Sequence, residues 1–170
     1  MSKPTPHPLK KTVTVPNLLK KKTGEGGCCD EAVDKAQKLI EDNDIDFLPA
    51  ARDLLDMLAA YAARYRTESA AGESAVFKLL YPAMQLNAQG RMFHYPLISD
   101  LADVLVNFLE NIEVLNRDAL DIVDAHHTAI TLIVKKEIRG FGGSAEKEMY
   151  DDLVRACRRY YRKYGLDDDE

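Results

Sequence analysis

From Asp30 onward, apolar residues return every three or four positions, the spacing that puts them on one face of a helix. The pattern predicts a short first helix over 30–41, opened by Asp30 as N-cap, with Val33, Ala36, Leu39 and Ile40 as its stripe. A second is expected over 46–67, with Pro49 in its first turn and Leu48, Ala51, Leu55, Leu58, Ala59 and Ala62 facing inward. Ala70–Glu73 breaks the pattern, and a third helix over 73–89 carries Val76, Leu79, Leu80, Ala83 and Leu86, with Gly90 as its stop. Pro96 opens a fourth over 96–113, with Leu97, Leu101, Val104, Leu105 and Phe108 apolar. The fifth, 117–138, presents Leu120, Ile122, Val123, Ile130, Ile133, Val134 and Ile138 and ends at Gly140, Gly142 and Gly143. Ser144 is placed to cap a sixth over 145–164, whose stripe is Met149, Leu153, Ala156 or Cys157, Tyr160 and Tyr164.

No stretch alternates with period two for long enough to require a strand. Six helices with short connections predict an all-α, up-and-down four-helix bundle with additional N-terminal and C-terminal helices. Residues 1–28 stand apart. Pro4, Pro6, Pro8 and Pro16 exclude helix interiors, Thr12–Val15 is β-branched, and Gly24, Gly26 and Gly27 close the segment. The expected division is an arm at 1–28, a helical domain at 29–165 and an acidic tail at 166–170.

Charge sharpens that division. Six lysines and no acid precede Glu25, so residues 1–24 carry +6; the chain as a whole carries −5, which leaves −11 for residues 25–170. A basic arm on an acidic body suits an anionic partner or a solvated tail lying over its own domain. At 170 residues the chain is long enough to bury a core, and it contains no run of 18 apolar residues and no apolar stretch behind its basic start. Neither a membrane span nor a secretory signal is therefore expected. Cys28, Cys29 and Cys157 have no metal or redox spacing, which fits reduced thiols in the cytoplasm.

The stretch Ala83-Met84-Gln85-Leu86-Asn87-Ala88-Gln89-Gly90-Arg91-Met92-Phe93-His94-Tyr95-Pro96-Leu97 carries the most specific string in the chain. It resembles the active helix of bacterial histidine phosphotransfer (Hpt) domains of the type A-H-D-x-K-G-Q-G-x-x-F-x-Y-P-L. Ala83, Gln89, Gly90, Phe93, Tyr95, Pro96 and Leu97 fall in register. Residues 14–22, T-V-P-N-x-L-K-x-K, look like the arm of the same proteins, and the likeness extends through Leu101–Leu105, Val123–His126 and Ile138–Gly143. The resemblance implies an exposed phospho-accepting histidine where this chain has Met84, a lysine where it has Asn87, and a glycine where it has Ala88. A thioether cannot carry a phosphoryl group. The implied reading is a fold kept without its chemistry: a phosphorelay module that binds a response-regulator receiver domain or a histidine kinase. Its contact would centre on Met84, flanked by Phe77, Tyr81, Gln85, Asn87 and Ala88. A rival reading is an active phosphocarrier using His94, His126 or His127; a third is a purely structural bundle.

Other constellations change the picture little. His126 lies on the apolar stripe of the fifth helix, as a core histidine would, while His94 is expected in a solvent-facing turn. Asp118, Asp121, Asp124 and His127 step along that helix by threes, which reads as a solvated acidic face, since a di-metal bundle needs two such carboxylate–histidine pairs and more carboxylates. Arg155, Arg158, Arg159, Arg162 and Lys163 interleave with Tyr160, Tyr161 and Tyr164, but the domain is too acidic for nucleic acid to be the expected partner. No phosphate-cradling loop or nucleophile elbow is present, and no motif calls for a cofactor or metal. The oligomeric state is not specified by the pattern.

Overall fold

A computed structural model describes residues 30–41, 46–67 and 73–166. Among them are six helices and no strand: α1 (Asp30–Glu41), α2 (Leu48–Thr67), α3 (Glu73–Met92), α4 (Pro96–Glu110), α5 (Arg117–Lys136) and α6 (Ser144–Tyr164). The protein is all-α. The basic arm, Cys28 and Cys29, and residues 167–170 of the acidic tail lie outside the described residues.

The chain divides into two units at Asp42/Asn43, and α1 falls in the first. In α1 a Lys35–Glu31 pair at 2.9 Å joins successive turns. Of its stripe, Val33, Ala36 and Leu39 are exposed, Leu39 by 75%.

In the second unit α2, α3, α4 and α5 close into a ring. α2 packs on α3 and α5, and α4 packs on the same two; α6 lies against α5 and α4. Short connections make sequence neighbours antiparallel. One half of the core gathers Leu58, Leu79, Phe108, Leu109, Val123 and Tyr160. The other gathers Phe47, Leu86, Ile98, Leu101, Ile130 and Ile133. Phe93 closes that end, its ring stacked 5.3 Å from Phe47.

Helix ends follow local chemistry. α2 begins at Leu48 and not at 46, because the Asp46 carboxylate accepts the Leu48 N–H at 3.0 Å and so caps it from outside. Asn116 caps α5 by accepting the Ala119 N–H at 2.9 Å, and its amide donates to the Tyr160 hydroxyl at 2.8 Å, fastening α5 to α6. α5 stops at Lys136, ahead of the expected glycines: Glu137 takes the left-handed conformation (φ 52°), and the Ile138 N–H turns back to the Ile133 carbonyl at 3.1 Å. α4 ends at Glu110, short of 113. Gly143, not Ser144, is the N-cap of α6; Glu146 reaches back to accept the Gly143 N–H at 2.7 Å.

Gly90 does not stop α3, which runs on to Met92. The glycine is there for close approach. A Cβ at Gly90 would stand 2.6 Å from Ser99 Oγ and 2.9 Å from Ser99 N. The buried Ser99 hydroxyl uses that proximity: it donates to the Asn87 carbonyl at 2.7 Å and accepts the Arg91 N–H at 2.8 Å, closing the end of α3 onto the start of α4. α3 also passes through Pro82, which has no N–H to offer the Lys78 carbonyl.

Candidate functional site

α3 is apolar on two faces. Val76, Leu79, Ala83 and Leu86 are buried in the ring. Phe77, Tyr81, Met84 and Ala88, spaced i, i+4, i+7 and i+11, form a second line that faces solvent. Phe77 is 67% exposed, Tyr81 51% and Met84 47%. Large apolar side chains held outward in a row on a rigid helix make a surface suited to contact with a protein. Gln85 and Asn87 flank the line and are half-buried.

The border of this patch is polar and internally bonded. The Gln89 amide donates to Gln85 Oε1 at 2.9 Å. The Asn87 amide crosses to α4 and donates to Asp103 Oδ1 at 3.0 Å, and the Asn107 amide reaches Asp103 Oδ2 at 3.2 Å. Where the Hpt-like pattern has a lysine, this chain therefore has an amide committed to a carboxylate. The group bonded to Asn87 is anionic, not cationic, the wrong sign for a phosphoryl group in transfer.

The histidines lie elsewhere. His94 is exposed in the α3–α4 turn, in the left-handed region (φ 68°), and its carbonyl accepts the Gly140 N–H at 3.3 Å. His126 is fully buried; its Nδ1 lies 2.9 Å from the Ile122 carbonyl, and Nε2 has no hydrogen-bond partner among the described residues. Burial pushes its pKa below the ordinary value, outweighing the Ile122 contact, so the ring is neutral and Nδ1–H is the donor. His127 is half-buried beside it.

The acidic face of α5 stays solvent-accessible and is also tied to its neighbours by ion pairs. Arg66 on α2 bonds Asp121 and Asp124 at 2.6 Å each, clamping α2 to α5. Asp118 accepts from Lys163 and from the Tyr164 hydroxyl, bonds that hold its carboxyl below the usual range. Among the described residues no group of three His, Cys, Asp or Glu side chains is arranged to hold a metal ion. On α6 the arginines are exposed, Tyr160 is buried, and Tyr164, expected on the inner arc, lies mostly outside with its ring 4.4 Å from that of Tyr160. The Cys157 thiol is buried and pushed up to about 11, so it is a poor nucleophile at neutral pH. No helix among the described residues is long and apolar enough to cross a membrane.

Asp103, Ser99 and the Arg66 clamp escape sequence reasoning. Each is an ordinary polar residue until its helix is packed; Asp103 lies in the segment that resembles the Hpt pattern, but nothing in its spacing points to Asn87. Comparison of the chain with protein-family models, with curated proteins and with solved structures finds no match.

Proposed function

We propose that this protein is an Hpt-like phosphorelay module in the bacterial cytoplasm that docks a response-regulator receiver domain or a histidine kinase without carrying the phosphoryl group itself. The observation that carries this reading is Met84. It sits mid-helix and solvent-facing, at the position that the resemblance assigns to the phosphoacceptor, in line with the exposed Phe77, Tyr81 and Ala88. The ring formed by α2 to α5 suits an Hpt-like four-helix bundle, and the Asn87–Asp103 bond favours the loss of phosphate chemistry. A surface of this kind binds; it offers no nucleophile. Its role is to occupy a receiver or kinase and so modulate phosphate flow between other proteins.

The test is to incubate the full chain with receiver domains charged by radiolabelled acetyl phosphate, measuring complex formation and acid-labile label on the chain. A complex without transfer is expected. Phe77→Asp and Met84→Asp should each weaken the complex about tenfold or more, as loss of a central apolar anchor does, while the melting temperature moves by no more than about 2–4 °C. Label on the wild type that vanishes with one of His94, His126 or His127 would establish an active phosphocarrier instead. Absence of any complex with receivers or kinases would leave only the structural bundle.

A further inference from the structure

α5 and α6 line an open groove of about 660 Å³. We propose that it is a docking site for a cationic amphipathic helix of a partner protein. The proposal does not rest on the reading of α3, which packs on α2 and α4 and lines no part of this groove.

The floor is apolar. Ala125 and Ala129, one turn apart on α5, leave a slot that Met149 and Leu153 face from α6. Leu132 closes one end and is 42% exposed. Small residues beneath and larger ones at the sides give the ridge-and-hollow relief into which the side chains of a third helix fit. From Asp121 to Leu132 the α5 wall rises about 16 Å at 1.5 Å per residue, room for three turns. Both walls are helices, whose backbone groups are already paired. An extended segment would find no strand edge to bond with, whereas a helix brings its own backbone bonds.

The rim sets the charge of the occupant. Asp121 and Asp124 line the α5 side, Glu148 and Asp152 the α6 side. Arg66 engages the first two and Arg155 pairs with Asp152, so four carboxylates against two guanidiniums leave the rim at −2. Glu148 is exposed. Acid on both sides of an apolar floor matches a helix with one apolar stripe flanked on each side by Lys or Arg, and it repels nucleic acid and anionic lipid.

The probe is a fluorescein-labelled peptide of about 14 residues with Leu on one helical face and Lys on both flanks. It is titrated against the full chain by anisotropy, beside a scrambled peptide of the same composition. The ordered peptide should bind about tenfold or more tighter than the scrambled one. Leu132→Glu and Glu148→Lys, both at exposed positions, should each weaken it about tenfold, and its affinity should fall as salt rises. Amide shifts in the NMR spectrum should centre on Ala125, Ala129 and Met149. Equal binding of the scrambled peptide, binding unaffected by both variants, or shifts centred on Phe77–Ala88 would overturn the proposal. So would self-association of the wild type in sedimentation that Leu132→Glu abolishes, which would assign the groove to a second copy of the chain.

Discussion

Replacing the fully buried His126 by leucine tests the core. The ring is neutral in the folded state because burial opposes its charged form, and Nε2 is an acceptor without a partner among the described residues. An unsatisfied buried polar atom costs about 1–3 kcal/mol. Leucine is close in volume and carries no polar atom. The Nδ1–H bond it removes ends on the Ile122 carbonyl, which in a regular helix already accepts the N–H four residues on. His126→Leu should therefore match or exceed the wild type by up to about 2 kcal/mol at pH 7.5. The pH dependence is the sharper readout. The folded pKa is lowered, so below the ordinary histidine value near 6.5 the unfolded chain binds the additional proton. The wild type has its full stability above that value and loses it as pH falls toward the depressed folded pKa. The loss between pH 7.5 and 5.5 has an upper bound of about 1.4 kcal/mol, set by protonation of the unfolded chain alone; the variant lacks this component. Asp118 and Glu146, also lowered, are common to both proteins and cancel in the difference. Urea unfolding followed by circular dichroism at the two pH values measures it. A wild-type-to-variant difference that is the same at both would refute the buried neutral histidine.

Gly90→Ala should destabilise by about 1–3 kcal/mol through overpacking against Ser99, although alanine is the better helix former; a more stable variant in urea would refute the close-approach role. Glu137→Gly should stabilise by roughly 0.5–1 kcal/mol by relieving the left-handed backbone, less the entropy that glycine adds to the unfolded chain, and an unchanged melting curve would count against that balance. Met84→His with Asn87→Lys and Ala88→Gly should accept label from a charged receiver only weakly, because Asp103 is placed to capture the introduced ammonium; adding Asp103→Asn should raise the transfer. Equal labelling of the three-residue and four-residue variants would show that Asp103 plays no part.

The helices were legible because an amphipathic period survives any arrangement of partners. Leu79, Leu101 and Ile130 are buried wherever their neighbours stand, and Met84, about 100° on from the buried Ala83, is exposed. What the sequence conceals depends on which helix lies opposite. Gly90 near a helix end has the same local signature as a stop; only the arrival of Ser99 makes it a contact point. Nothing in the spacing of Asp121 and Asp124 shows that α2 brings Arg66 to them, although both stay solvent-accessible. The stripe of α1 has the period of a buried face, yet periodicity records only that apolar residues share a side, and here that side is open. Pro82 adds the opposite lesson: a residue that argues against a helix interior is tolerated at a buried position in α3.

The arrangement of the ring bears on how the two proposed surfaces would work together. α3 packs on α2 and α4, and α5 on the same two helices, so α3 and α5 occupy opposite corners. The line from Phe77 to Ala88 and the groove beside α5 consequently face away from each other, and a partner on one leaves the other clear. They also differ in chemistry: the first is apolar and aromatic with a bonded amide border, the second an apolar slot between carboxylates. Salt therefore separates them, since screening weakens a charged rim far more than an apolar contact. If both surfaces bind as proposed, a bundle with two unlike faces at opposite corners would join two partners. That is a role for which a phosphoacceptor histidine is dispensable and an exposed methionine on a helix face is useful.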